Sequence, residues 1–135
     1  MRRFVIASHH QMAFGLKDTL QFLTSRENIT DISAYVDDER LEEQVGRVMA
    51  SFGPEDEIVV LTDMLGGSVN QYFCSYMGER CHLISGVNLP CALSLVLQPE
   101  DLPLTRELVH GIVEEARTHL VYVNEYQTAE NEEDE

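Results

Sequence analysis

The sequence has no apolar run long enough to cross a lipid bilayer as a helix, which takes about 20 residues. Hydrophobic residues make up 44% of the 135 residues, a proportion typical of a globular protein. The amino-terminal residues MRRFVIASHHQ contain a basic pair followed by only a few apolar residues. This stretch is too short for the apolar region of a signal peptide, so we predict a first β-strand here.

Cysteine is scarce as well. The three cysteines, Cys74, Cys81 and Cys91, are an odd number, and no pair has the Cys-x-x-Cys spacing of a zinc site. The pattern argues against a disulfide framework and against a structural metal, and it predicts three buried free thiols. A reducing, cytoplasmic location is therefore expected.

Basic residues are few in comparison with acidic ones. Nine lysines and arginines oppose 24 aspartates and glutamates, which gives a formal net charge of −15. Five of the acids lie within residues 130–135, and we predict a disordered acidic tail over residues 128–135. So acidic a chain is unsuited to binding nucleic acid through its phosphates. The charge has two interpretations, steering of a basic protein partner or maintenance of solubility.

The rest of the chain alternates between strand-like and helix-like patterns. Short β-branched and apolar runs predict strands, and apolar residues at intervals of three or four predict amphipathic helices. The predicted strands are residues 3–8, 29–36, 57–62, 81–85 and 120–126. The predicted helices are residues 11–25, about 38–52, 69–77, 91–97 and 105–120. Asp37 or Asp38 is the expected cap of the second helix, and Ser68 or Asn70 that of the third.

This order predicts an α/β fold with a mainly parallel central sheet and helices on both faces, in one domain over residues 1–127. Sites in such sheets form at the carboxyl ends of the strands. The rule selects three loops: Ser8–Gln11, Asp63–Ser68 and Gly86–Pro90. We expect these loops to meet. The last predicted strand can form an edge within one subunit or across a dimer, and both alternatives stay open.

Groups suited to phosphoryl transfer fall in these loops. His9 and His10 end the first strand, and a neutral imidazole is a nitrogen nucleophile. Asp63 can hold the second imidazole nitrogen, which fixes the tautomer and stabilises the charged product. A turn that can present N–H groups and a hydroxyl to an anion is formed by Gly66, Gly67 and Ser68. Together these residues predict a phosphohistidine site.

The sequence has no Walker motif, Gly-x-x-x-x-Gly-Lys, so the phosphoryl group is expected from another protein rather than from ATP. Attack by an imidazole nitrogen on a phosphoryl group carried by another protein requires no metal in this scheme, and we predict no cofactor. A metal site made from His9, His10 and Asp63 would have too few ligands.

Several of these residues also have purely structural interpretations. Asp63 can be a helix cap, and the glycine-rich segment can be an ordinary turn. Asn88 and Pro90 are interpreted as shaping a turn that supports the site from behind, and we expect Ser8 and His10 to lie behind the reacting groups too. Packed or solvated positions are predicted for the other histidines, His82, His110 and His119.

Three segments carry a family resemblance: FVIASHHQMAFGL, VVLTDMLGGSVNQ and SGVNLPCALSL. The first resembles a hydrophobic strand followed by a Gly/Ala/Ser-Thr/Ser-His motif. The second resembles Asp-x-x-Gly-Gly-Ser and the third Gly-Val-Asn-Leu/Ile-Pro. These are the motifs of mannose-class enzyme IIA components of the bacterial phosphoenolpyruvate:sugar phosphotransferase system (PTS). The resemblance extends over about residues 3–119, with the motifs in family order.

The resemblance implies a phosphotransferase with a parallel-sheet α/β fold and a C-terminal edge strand exchanged in a homodimer. It implies that His9 is phosphorylated, that Asp63 orients it, and that Ser68 lies on the phosphate side. The family relays phosphoryl groups from the phosphocarrier HPr through IIA to the IIB component during sugar uptake. Contact with the membrane is then only indirect, through IIC and IID subunits.

Some residues depart from the family pattern at the rim of the site. His10 occupies a position where relatives usually have glycine or another small residue, Met64-Leu65 replaces a polar–aromatic pair, and Val69 replaces proline or a small residue. These changes bear more on the partner than on the chemistry. The acidic tail is unlike the linker that joins IIA to IIB, so a free-standing IIA is expected.

Two alternatives remain open at this point. One is a phosphotransfer subunit of the dihydroxyacetone-kinase type, whose second motif lacks the double glycine. The other is a non-catalytic regulatory relative of the IIA fold. The sequence does not identify the sugar, because specificity resides in other subunits.

Overall fold

Four parallel strands form the sheet in the computed structural model, which describes residues 1–126. The strands are β1 (Arg2–His9), β2 (Ile29–Ala34), β3 (Glu57–Thr62) and β4 (Cys81–Ser85). Their order across the sheet is β2-β1-β3-β4, and every neighbouring pair is parallel. Strand β1 lies inside the sheet with both faces covered, which explains its nearly continuous apolar sequence.

Helices connect the strands and complete the fold. They are α1 (Met12–Thr24), α2 (Leu41–Ala50), α3 (Ser68–Gln71), α4 (Leu89–Val96) and α5 (Arg106–Arg117), with a 3₁₀ turn at Cys74–Tyr76. Most lie within one to three residues of the predicted helices. Among residues 1–126, no helix is long and apolar enough to cross a membrane.

The core has two parts, one on each face of the sheet. Phe4 and Ile6 of β1 point into a cluster with α1, α4 and α5, which includes Leu20 and Leu95. The alternate residues of β1 point into a second cluster on the other face, formed with α2 and the segment after α3. The predicted α/β fold, with helices on both faces of a parallel sheet, is confirmed.

A buried arginine fixes the loop between α4 and α5 to the start of the sheet. Arg2 is 3% exposed, and its Nε donates to Glu57 Oε1 at 2.6 Å. The other guanidinium nitrogens donate to three loop carbonyls, those of Gln98, Pro99 and Leu102. Glu57 Oε2 accepts the Leu104 N–H at 2.7 Å. Because this network is satisfied on both sides, the charge can stay buried.

The helix predicted over residues 69–77 is wrong in its length. Helix α3 ends at Gln71, and the chain continues with i→i−3 hydrogen bonds, from the Phe73 N–H to the Asn70 carbonyl and from the Tyr76 N–H to the Phe73 carbonyl. The residues after Val69 are mostly weak helix formers. The tighter winding buries Phe73 completely in the core.

The predicted helix caps at Asp37 or Asp38 and at Ser68 or Asn70 are also wrong. Helix α2 begins at Leu41 with Arg40 as its N-cap, and Gly67 is the N-cap of α3. Asp37 instead accepts the Glu39 N–H at 2.9 Å in the turn before α2. A short acidic side chain satisfies a turn as well as it satisfies a helix end.

The predicted last strand over residues 120–126 is absent. Residues 123–126 form a helical turn in which the Tyr126 N–H donates to the Tyr122 carbonyl at 3.2 Å. The apolar side chains of this segment are exposed, Leu120 by 90%. A strand requires a neighbouring strand, and within residues 1–126 this segment has none. Its exchange in a dimer stays a prediction, and the predicted tail over 128–135 lies outside the described residues.

Candidate active site

Two neighbouring strands bring His9 and Asp63 together. Strands β1 and β3 pair in a register that sets Ala7 opposite Thr62, so both chains leave the sheet at the same edge. Asp63 Oδ2 lies 2.9 Å from His9 Nδ1. The same oxygen accepts the backbone N–H of His9 at 2.8 Å. One carboxylate oxygen therefore fixes both the main chain and the ring of His9.

The surroundings of Asp63 favour its ionised form. Partial burial alone would raise the pKa of the carboxyl, but the hydrogen bonds from the backbone and ring of His9 outweigh it and hold the pKa below its ordinary value. The second oxygen, Oδ1, accepts the Met64 N–H at 3.0 Å. An ionised acceptor beside Nδ1 selects the tautomer with the hydrogen on Nδ1. The lone pair is then on Nε2, and the imidazole side chain is 35% exposed.

Gly67 lies against the His9 ring. A Cβ atom added at Gly67 would lie 2.8 Å from Cε1 and 3.6 Å from Nε2 of His9, so any side chain there would displace the ring. A Cβ added at Gly66 would meet nothing within 4 Å. The two glycines thus have different surroundings, although the sequence pattern gave both the same predicted role in the turn. The Gly67 N–H makes a long 3.4 Å contact with the Met64 carbonyl.

Ser8 and His10 shape the turn that follows β1. Ser8 is buried; its hydroxyl accepts the Ala13 N–H at 2.7 Å and donates to the His10 carbonyl at 3.2 Å. His10 has a φ of 55°, in the left-handed region that favours glycine. Its N–H donates to the Ala34 carbonyl at 2.8 Å, and its side chain is exposed.

The third predicted loop meets the site through its backbone. The Thr62 carbonyl accepts the N–H groups of Gly86 and Val87, both at 3.0 Å. The Asn88 side chain is directed to the helices, because Oδ1 caps α4 at the Cys91 N–H (2.9 Å) and Nδ2 donates to the Ala116 carbonyl (2.8 Å). Asn88 therefore positions α4 and α5.

Sequence reasoning missed Tyr35. Its hydroxyl lies 2.6 Å from Ser68 Oγ, and its ring centroid is 5.8 Å from that of His9. The sequence predicts a strand through residue 36, but β2 ends at Ala34 and Tyr35 begins a fourth loop at the same edge of the sheet. The rule that selected the other three loops would have found it, had the strand been ended two residues earlier.

Two buried polar residues hold the Asp63–Ser68 loop in place, and these were missed as well. Thr62 Oγ1 donates to Asn70 Oδ1 at 2.9 Å. Asn70 Nδ2 makes a longer 3.5 Å contact with the Leu65 carbonyl. A polar residue on each side of a glycine-rich loop was visible in the sequence, but only the folded turn brings their side chains together.

Comparison with protein-family models identifies the family of the chain. The model of PTS system fructose IIA components, the mannose-type EIIA family, matches residues 3–113. The chain belongs to this family of phosphocarrier IIA subunits. No curated protein matches the sequence.

Solved structures resemble this IIA component over most of its length. A protein from Klebsiella pneumoniae, assigned as a phosphoenolpyruvate-dependent sugar PTS permease, has a TM-score of 0.80 and 29% identity, and 91% of each chain is covered. The mannose/sorbose-specific IIA subunit of Enterococcus faecalis has a TM-score of 0.72 and 18% identity, with 89% of this chain and 92% of that chain covered. The PTS component EIIA of Streptococcus agalactiae has a TM-score of 0.74 and 22% identity, with 92% and 98% covered. The last two similarities establish the fold.

The other histidines and the cysteines of this IIA component lie outside the site. His82 is partly buried, with Nε2 at 3.1 Å from the Leu104 carbonyl, whereas His110 and His119 are exposed. All three cysteines are free. Cys91 is buried as predicted, whereas Cys81 is only half-buried and Cys74 is exposed, so the prediction of a buried thiol is wrong for Cys74 and met only in part at Cys81. Within residues 1–126, no group of three or more histidine, cysteine or acidic side chains is arranged to hold a metal ion.

Proposed function

We propose that this IIA component accepts a phosphoryl group on His9 Nε2 from phospho-HPr and transfers it to the IIB component. The observation that carries the proposal is the double contact of Asp63 with His9, at 2.8 and 2.9 Å, which leaves Nε2 as the nucleophilic nitrogen. Sugar uptake would follow through IIC and IID subunits, so the membrane would be reached only indirectly. A cytoplasmic location is part of the proposal.

The transfer consists of one displacement at phosphorus. The Nε2 lone pair attacks in line as the P–N bond of the donor phosphohistidine breaks, and the donor imidazole leaves with that electron pair. His9 keeps its proton on Nδ1, so the phosphorylated ring is positively charged and Asp63 offsets this charge. Catalysis in such a step comes from positioning and electrostatics, both of which the carboxylate supplies.

The phosphoryl oxygens would lie over the turn formed by Gly66, Gly67 and Ser68. Gly67 already lies beside Cε1 and Nε2 of His9, so a group bonded to Nε2 enters the space next to this turn. The Ser68 hydroxyl, an exposed position at the start of α3, can donate to one phosphoryl oxygen. The Gly67 N–H, whose contact with the Met64 carbonyl is long at 3.4 Å, can donate to a second phosphoryl oxygen.

The partner surface would surround the exposed imidazole. Met12, Met64 and Leu65 are all more than half exposed close to this edge of the sheet, and they offer apolar contact to a docking protein. The formal charge of −15 favours encounter with a basic partner. We also propose a homodimer, since the exposed apolar side chains of residues 120–126 form a surface of the kind that marks a protein interface.

The decisive experiment is phosphorylation of the purified protein by phosphoenolpyruvate, enzyme I and HPr, followed by intact-mass analysis. We expect one acid-labile phosphoryl group, absent in His9→Ala. The matched control is His10→Gly, which suits the left-handed φ of 55° and should retain labelling. Labelling lost only in the His10 variant would reject His9 as the nucleophile.

The regulatory alternative is tested in the same preparation. Addition of a mannose-class IIB protein should remove the phosphoryl group from the labelled IIA component and transfer it to IIB. A protein that takes up the group but transfers none to any IIB supplied would be a regulatory relative. A known mannose-class IIA protein serves as the positive control.

A further inference from the structure

Tyr35 adopts a backbone conformation that aromatic residues rarely take. Its φ is 67°, in the left-handed region, where the Cβ of any residue other than glycine crowds the backbone. Only two other non-glycine residues of the described chain have positive φ, Ser25 and His10. Ser25 caps the end of α1, a common place for this conformation. Tyr35 and His10 instead follow neighbouring strands at the edge that carries His9.

Burial does not explain why Tyr35 adopts this conformation. The residue is 56% exposed, so its ring gains little from the core. Its contacts are with the site: the hydroxyl lies 2.6 Å from Ser68 Oγ, and the ring is tilted by 40° over His9 with 5.8 Å between centroids. Strain that is compensated only by contacts with reacting or binding residues points to a functional role.

We propose that Tyr35 is a positioning residue that directs the Ser68 hydroxyl toward the phosphoryl group on His9, an inference that rests on the proposed function of His9. A serine hydroxyl has one hydrogen to donate and two lone pairs to accept. Phosphoryl oxygens only accept. When they are present, the Ser68 hydrogen points to the phosphoryl group and the Tyr35 O–H donates to Ser68 Oγ.

This order of donors follows from the acidity of the two hydroxyls. A phenol is more acidic than an aliphatic alcohol and is therefore the better donor of the pair. The chain of two hydrogen bonds ends on an anion, where each bond strengthens the other. Tyr35 would then act on the phosphorylated state and the transfer step through Ser68.

The test is a double-mutant cycle in the rate of phosphorylation by phospho-HPr. Tyr35→Phe keeps the ring and removes the hydroxyl, and we expect the rate to fall about three- to tenfold. In Ser68→Ala the phosphorylation rate should fall at least as far. Adding Tyr35→Phe to that variant should lower the rate by less than a further twofold. Tyr76→Phe, an exposed tyrosine on the 3₁₀ turn, is the matched control and should be unchanged.

A spectroscopic readout separates positioning from a merely structural role. The phosphorus-31 chemical shift of phospho-His9 should move in Tyr35→Phe in the same direction as in Ser68→Ala, and it should not move in Tyr76→Phe. The proposal would be overturned if the rate losses of the two single variants multiplied in the double variant. It would also be overturned if Tyr35→Phe had the rate and the chemical shift of the wild type. If the wild-type chain takes no phosphoryl group, both proposals fail together; if it does, only the role of Tyr35 is at stake.

Discussion

Gly67→Ala is the sharpest perturbation that the geometry of the site offers. The added methyl group would lie 2.8 Å from His9 Cε1, where carbon atoms prefer about 3.5–4.0 Å. The ring must therefore move by roughly 0.7–1.2 Å. Because Nδ1 is held by Asp63 at 2.9 Å, such a movement lengthens or bends that hydrogen bond. A displacement of about 1 Å at a reacting group can lower the rate on the order of 10²-fold.

The same substitution should leave folding nearly untouched. Gly67 has φ −86° and ψ 158°, which alanine adopts without strain. Replacing glycine by alanine lowers the conformational entropy of the unfolded chain, which stabilises the folded protein by about 0.4–1 kcal/mol and offsets part of the cost of the clash. We therefore expect a thermal midpoint close to that of the wild type, together with a phosphorylation rate reduced by about two orders of magnitude.

The assay is the initial rate of phosphoryl transfer from phospho-HPr, measured by rapid quench and intact mass. Gly66→Ala is the matched control, since its added methyl group meets nothing within 4 Å. We expect that variant to stay within about threefold of wild type. A Gly67→Ala protein with the wild-type rate would refute the steric reasoning. Equal losses of rate in both variants would refute it too. They would indicate instead that a side chain in the turn hinders approach of the anion.

Two further predictions concern acidic residues. Asp63→Asn removes the charge that selects the Nδ1–H tautomer, so the transfer rate should fall at least about 10²-fold while circular dichroism stays unchanged; a loss below threefold would contradict this role. Glu57→Gln leaves the Arg2 charge buried without its counter-charge and should lower the free energy of unfolding in urea by about 2–3 kcal/mol. Burial opposes ionisation of Glu57, but the hydrogen bonds from the Leu104 N–H and Arg2 hold its pKa below the ordinary value. Its stabilisation is thus complete above the unfolded pKa of about 4.3 and is lost as the pH falls through the lower folded value. Glu57→Gln should flatten this part of the stability–pH curve, and an unchanged slope would contradict the assignment.

The sequence predicted those parts of the fold whose signals are local and strong. Strands β1, β3 and β4 consist of apolar runs next to clear turn residues, and they are found within one residue of the predicted bounds. Helix α5 begins at a threonine cap whose hydroxyl accepts the Leu108 N–H at 3.1 Å. In these segments the local preference and the tertiary environment favour the same structure.

The failures occur where the tertiary environment overrides local preference. Residues 120–126 are rich in strand-forming side chains, but strand formation depends on a neighbouring edge, which no local pattern reveals. Tyr35 lies in another strand-like run, and its left-handed φ cannot be read from an aromatic side chain. Similarly, only the folded turn distinguishes Gly67, which lies against His9, from Gly66, which does not.

One part of the candidate site is set by the sheet, and the other lies on exposed segments outside it. His9 and Asp63 leave paired strands of the central sheet, and one carboxylate oxygen holds both the main chain and the ring of His9. The proposed nucleophile is therefore aligned by the register of the sheet. Ser68 lies at the exposed start of α3 and Tyr35 on an exposed loop, and their hydroxyl oxygens are 2.6 Å apart. The expectation that Val69 lies at the rim of the site is wrong, because its side chain is fully buried in the core. Substitutions at the exposed Met64 and Leu65 can change the fit to the phosphoryl group or to a partner while the proposed nucleophile stays in place, which is consistent with departures from the family pattern there rather than at His9 or Asp63.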